Sequence, residues 1–179
     1  MRAFIALELP EAFAYETAAL AERLSLLCEG RFVPRENHHV TLAFLGDIGE
    51  AQSHDAVAAL EEACEGRGPV VLSSDGLGRF GRPADATLWM GVVGGVALDG
   101  LAAVVRERLQ AHGLEYDGHP FKPHVTLARR ARLPKGDLPA LEFPMPDTAE
   151  RVTLFKSTLS SDGASYKPLV TVELGERSC

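Results

Sequence analysis

The chain has 179 residues, 46% of them hydrophobic and 24% charged, with a formal charge of -7 at pH 7. That length and apolar share suit one ordinary domain, or two small lobes on a shared core, and exclude a disordered chain. The acidic balance excludes a protein that coats long nucleic acid through a broad basic surface, and leaves room for a small anion in a local basic cleft.

Residues 2 to 8 form an apolar run too short, and too soon interrupted by Glu8 and Pro10, for a signal peptide or a membrane span. They are expected to form a first strand. From 11 to 28, Phe13, Thr17, Leu20, Leu24 and Leu27 recur at helical spacing. Residues 39 to 45 again read as a strand, stopped by Gly46-Asp47, and 51 to 65 as a helix ending before Gly66. β-Branched and aromatic residues mark strands at 70 to 75 and 86 to 93, and the intervening GLGRFGRPAD reads as a loop or long hairpin whose Arg79 and Arg82 solvate it. A helix at about 97 to 112 follows, with Leu98, Leu101, Val105 and Leu109 on one side.

After it come a strand from His124, a Pro-rich turn region from Leu133 to Pro146, and strands at 151 to 159 and 168 to 174 joined by SSDGASYKP. Adjacent strands beside strand-helix units predict an α+β fold with largely antiparallel sheets, not a doubly wound parallel one. Cys28, Cys64 and Cys179 are odd in number, far apart and free of any C-x-x-C pair, so they read as reduced thiols in a cytoplasmic protein.

The word HVTLA occurs twice, as residues 39 to 43 and again as 124 to 128. An identity repeated at close to half the chain length points to a duplication, with two lobes related by a pseudo-twofold axis. Strand alternation puts His39 and Thr41 on one face and Val40 and Leu42 on the other, and does the same for His124, Thr126, Val125 and Leu127. With the two strands side by side, two imidazoles and two hydroxyls converge. Imidazoles with an ordinary pKa near roughly 6.5 can serve at neutral pH as one general base and one general acid. Paired threonine hydroxyls can donate to the oxygens of a tetrahedral anion. The set suits in-line displacement at phosphorus without a metal or other cofactor. A nucleophilic triad would need a Ser or Cys motif that is missing, and a zinc site would need a third ligand.

Around these words stand MRAFIALELP, ENHHVTLAFLG, ATLWMGV, HPFKPHVTLARR and LFKSTLSSDGASYKPL, in that order. In this arrangement the chain resembles the 2H phosphoesterases, defined by two H-x-[ST]-hydrophobic motifs, and within them the bacterial RNA 2',3'-cyclic phosphodiesterases, also called 2'-5' RNA ligases. The resemblance spans essentially the whole chain. It implies a single bilobal domain over residues 1 to 179, with two antiparallel sheets and flanking helices around a central cleft. The partner it implies is an RNA end or nucleotide carrying a 2',3'-cyclic phosphate, with no membrane and no obligate protein partner. His39 would protonate the leaving 3' oxygen, His124 would activate water, and Thr41 and Thr126 would hold phosphate oxygens. Reverse 2'-5' joining is implied as a secondary activity.

The resemblance also carries a base-stacking aromatic and a phosphate-binding arginine to the fifth position after each histidine, here Phe44 and Arg129. Strict alternation instead puts Ala43 and Arg130 on the cleft face, so a bulge must intervene if Phe44 and Arg129 are to point inward. Both arginines are therefore kept as phosphate contacts. His38 reads as structural or exposed at the strand entry, His54 and His112 as solvated helix residues, and Lys122 and Arg35 as cations at the rim. Two other readings of the same groups are a phosphodiesterase for other cyclic or 2',5'-linked nucleotides and a nucleotide-binding module without turnover.

Overall fold

The computed structural model describes residues 1 to 175, so Cys179 lies outside the described residues. The chain order is β1 (Arg2–Glu8), α1 (Glu11–Ser25), β2 (Glu29–Phe32), a 3₁₀ turn (Arg35–Asn37), β3 (His39–Asp47), α2 (Glu50–Cys64), β4 (Val70–Arg82), β5 (Asp85–Val93), α3 (Gly95–Ala111), β6 (His124–Arg132), β7 (Asp147–Ala149), β8 (Arg151–Ser160) and β9 (Gly163–Glu173). One sheet runs β3-β1-β8-β9 and the other β2-β6-β5-β4-β7, with every pairing antiparallel. The α+β architecture expected from the sequence is the one observed.

The three helices follow their apolar periodicity. On α1 the buried face is Phe13, Thr17, Leu20, Ala21 and Leu24. The helix stops three residues before position 28, which leaves Leu27 largely outside the core. On α3, Leu98, Leu101, Val105 and Leu109 are fully buried, as the spacing requires. These side chains join Ile5, Leu7, Val40, Leu42, Val125 and Leu127 in one continuous apolar core.

The sheets hold more strand than the sequence suggests. GLGRFGRPAD is the long hairpin of the two alternatives: β4 runs to Arg82 and pairs with β5 from Leu77 opposite Met90 to Arg82 opposite Asp85. Similarly, β9 begins at Gly163, so SSDGASYKP is a tight β8-β9 hairpin with strand on both sides. β2 and β7 are additional short edge strands. Cys28 and Cys64 are free thiols. Among the described residues no helix is long and apolar enough to cross a membrane.

The sheet order leaves the two HVTLA strands in unlike settings. β6 lies inside its sheet, between β2 and β5, whereas β3 is an edge strand with β1 on one side only. The two strands approach each other across the cleft between the sheets.

Candidate active site

The repeated word builds the same backbone irregularity twice. Along β3, Glu8 of β1 faces His39 and Ala6 faces Thr41, but Ile5 faces Ala43, so Leu42 is an extra residue. Along β6, Trp89 of β5 faces Thr126 and Leu88 faces Ala128, so Leu127 is the extra residue. Each is a β-bulge at the fourth letter of HVTLA. A bulge of one residue reverses the facing of everything beyond it. Burial follows: Leu42 and Ala43 are both buried and Phe44 is turned outward, while Leu127 and Ala128 are both buried and Arg129 is exposed.

The alternation that favoured Arg130 for the cleft face is thereby corrected, because it counts two residues per repeat through a segment that contains three, whereas Ala43 is buried and lines the cleft beside Phe44. Phe44 faces the same side as His39, its ring 6.5 Å from that of Phe4 beneath the histidine. The Arg129 charge acts on both His39 and His124. Arg130 takes the left-handed backbone region, with φ 52°, and its guanidinium pairs with Asp85 at 3.4 Å. It is the one non-glycine residue among those described with such a φ. That conformation is costly for an arginine and marks a second irregularity, immediately after Arg129.

Both imidazoles are locked in the same tautomer. His39 Nδ1–H donates to the carbonyl of Asn37 at 2.7 Å, and His124 Nδ1–H donates to the carbonyl of Lys122 at 2.6 Å. A carbonyl can only accept, so in each neutral ring Nδ1 carries the proton and Nε2 is the free base. His39 Nε2 accepts from Thr41 Oγ1 at 3.0 Å. Thr126 holds the corresponding place two residues beyond His124, half-buried opposite Trp89.

Aromatic rings back each histidine. His39 stacks on Phe4 at 4.8 Å and meets the Tyr166 ring edge-on at 5.4 Å. His124 meets Phe80 edge-on at 5.3 Å and Trp89 at 5.8 Å, and the Lys122 ammonium lies 4.7 Å over the Trp89 ring. The Trp89 ring lies against Gly78, where an added Cβ would come within 2.1 Å of it, so the hairpin needs glycine there. Sequence reading missed Phe4, Phe80, Trp89, Phe155 and Tyr166 as residues of the site. Phe80 and Tyr166 sit in stretches rich in Gly and Ser or Pro, whose turn character hides strand alternation.

A cavity of about 580 Å³ opens between the two histidine strands, lined by Thr41, Ala43, Phe44, Phe80, Lys122 and His124 among others, while His39 lines a smaller hollow of about 220 Å³ with Phe155 and Tyr166. Lys122 is thus at the cleft as well as over Trp89. His38, on the other parity, is buried and packs away from the cavity, so it is structural and not exposed. Burial first, and then the positive charges of His38, His124 and Arg129, push His39 down to about 4 against the opposing effect of the Asn37 carbonyl. His124 is lowered as well, by burial first and then by Lys122 and Arg129. Both rings are therefore neutral bases at pH 7. Among the described residues no cluster of three or more His, Cys, Asp or Glu side chains is placed to hold a metal ion.

Similar proteins share this architecture. An RNA 2',3'-cyclic phosphodiesterase of Aquifex aeolicus is 30% identical over 187 aligned positions covering 98% of each chain. One of Geobacillus stearothermophilus is 37% identical over 100 residues, spanning 55% of this chain and 32% of that protein. Among solved structures, Escherichia coli LigT complexed with 3'-AMP superposes with a TM-score of 0.82 at 25% identity, covering 98% of both chains. The family model of the 2'-5' RNA ligase superfamily matches residues 10 to 158. With that match covering both bulged histidine strands, the chain belongs to the 2'-5' RNA ligase superfamily.

Proposed function

We propose that this protein hydrolyses the terminal 2',3'-cyclic phosphate of RNA to a 2'-phosphomonoester, with His39 and His124 as general acid and general base. The observation that carries the reading is the duplicated lock. Two imidazoles on equivalent bulged strands are each fixed by an Nδ1–H bond to a backbone carbonyl that leaves Nε2 unprotonated, each feels the Arg129 charge, and the His124 charge acts on His39. His124 Nε2 takes a proton from water as the water oxygen bonds to phosphorus. His39 Nε2 delivers its proton to the 3' oxygen as the P–O3' bond breaks. Thr41 and Thr126 donate to nonbridging oxygens, and Arg129 offsets the charge that builds on them.

The low pKa of His39 suits the donor. A buried imidazolium is a strong acid, and the anionic phosphodiester that enters the cleft supplies the negative charge that lets it hold a proton until the leaving oxygen needs it. Phe44 at the cleft wall offers a face for the terminal base. Relatives bearing the phosphodiesterase name, and the 3'-AMP complex of LigT, support a nucleotide as the substrate class. Free Cys28 and Cys64 fit a reducing compartment, the cytoplasm.

The direct test is an oligoribonucleotide ending in 2',3'-cyclic phosphate, incubated with the protein and excess chelator. A 2'-phosphate product is expected, at a rate the chelator leaves unchanged. A 3'-phosphate product would reverse the leaving group, nucleotide binding without product would make the protein a binding module, and loss on chelation would require a metal.

The pH dependence follows from the direction of the shifts. One ring must be protonated and the other neutral, and both values in the free protein lie below the ordinary 6.5, that of His39 at about 4. Both limbs of the kcat/KM profile are therefore expected below pH 6.5, with the kcat profile displaced to higher pH by the bound phosphodiester. A kcat/KM optimum above pH 7 would contradict the burial seen here. Because the folded-state values are depressed, the unfolded chain binds more protons as pH falls from 6.5 towards 4. Stability declines over that window, so the acid limb must be separated from unfolding by circular dichroism at each pH.

A further inference from the structure

The two bulges differ in one respect. On β6 the extra residue's carbonyl, Leu127 O, accepts from the backbone N–H of Val33, just beyond the end of β2, at 2.8 Å. Among the described residues no strand lies on the outer side of β3, and the equivalent carbonyl, Leu42 O, accepts instead from Arg106 Nε–H of α3 at 3.1 Å. The same guanidinium donates through Nη1 to the carbonyl of His119 at 2.9 Å and lies 5.3 Å from the Tyr116 ring centre and 5.7 Å from that of Phe121. Beside it, the Asp117 N–H donates to Phe44 O at 2.8 Å, and the Asp117 carboxylate binds the His119 backbone N–H at 3.0 Å. Arg106 thus joins the open edge of the first sheet to the segment that leads into His124.

We infer that Arg106 is a positioning residue for catalysis, a side-chain replacement for the missing strand that fixes the β3 bulge and the separation of the two histidine strands. This rests on the proposed hydrolysis only for its activity readout. An edge carbonyl at a bulge would otherwise face water, and the strand would be free to slip back to regular alternation, turning Phe44 away from the side of His39. The planar fork of arginine reaches Leu42 O and His119 O together, while the single ammonium of lysine reaches one of them. The side chain also stands between the cleft and a neighbouring hollow of about 420 Å³ lined by Asp99, Tyr116 and Phe121, so its removal leaves space that solutes can enter.

The test uses the full chain with Arg106→Ala and Arg106→Lys. Both are expected to lower kcat on a 2',3'-cyclic nucleotide by about tenfold to a hundredfold with KM changed far less, the scale of a misplaced reacting group. Added guanidinium ion should restore part of the kcat of Arg106→Ala, and ammonium should not. Amide exchange at residues 41 to 44 should quicken in both variants while residues 126 to 129 stay as in the parent. Full kcat in Arg106→Lys, no guanidinium rescue, or unchanged exchange at 41 to 44 would each overturn the inference. A parent protein inactive on the cyclic nucleotide would instead overturn the proposed function, and amide exchange would still decide the role of Arg106.

Discussion

Replacing either His39 or His124 by alanine is expected to lower kcat on a 2',3'-cyclic phosphate by about 10²- to 10⁴-fold, the usual contribution of a positioned acid or base. The two losses are expected to fall well short of multiplying in the double variant, because the proposed acid and base act together in a single displacement. Substitution by glutamine separates chemistry from binding. Glutamine keeps a polar head but cannot carry a proton between water and the leaving oxygen, so KM should change little while kcat collapses. Steady-state kinetics on folded variants, with melting temperatures measured alongside, checks this. Hydrolysis undiminished in either single variant would remove that histidine from the mechanism. The variants also predict opposite changes in the pH profile. Loss of the base should leave a residual rate without its acid limb, and loss of the acid one without its alkaline limb.

The second large effect separates two adjacent arginines. Arg129→Gln is expected to cost about 10²-fold or more in kcat/KM, as removal of a charged donor at a developing oxyanion does elsewhere. Arg130→Gln is expected to change kcat/KM by less than about threefold, since an exposed ion pair contributes little. The contrast arises from the bulge. Leu127 consumes one position of β6, which brings Arg129 round to the side of His124 and leaves Arg130 to reach Asp85. Because Arg129 depresses both imidazoles, its loss should also move both limbs of the kcat/KM profile to higher pH. Equal losses in the two variants would mean that the backbone at Arg130 serves the site through more than its turn.

How far the sequence discloses this molecule depends on which physical signal each part carries. The helices are plain because their buried faces recur at regular spacing, as Leu98, Leu101, Val105 and Leu109 do on α3. The histidines and threonines stand out because a five-letter identity is rare by chance. The facing of Phe44 and Arg129 is hidden by the alternation rule itself, since a bulge is defined by the partner strand's register and β1 and β5 lie far off in sequence. A trace of it does exist. Leu42-Ala43 and Leu127-Ala128 place two apolar residues side by side where alternation calls for one, and both pairs prove to be buried. Phe80 and Tyr166 were obscured for a different reason: the glycines around them that suggest loop instead serve strands, Gly78 by admitting the Trp89 ring. β2 could not be read from EGRF alone, for it is a strand only because β6 offers it a partner.

The position of Trp89 has an optical consequence. It is the only tryptophan in the chain, and its indole sits beside His124 beneath the Lys122 ammonium. Protonated imidazole quenches indole emission at such range and neutral imidazole does so far less. The fluorescence of the unlabelled protein therefore records the charge on the His124 ring, and a titration in a cuvette follows a proton that would otherwise be seen only through rates.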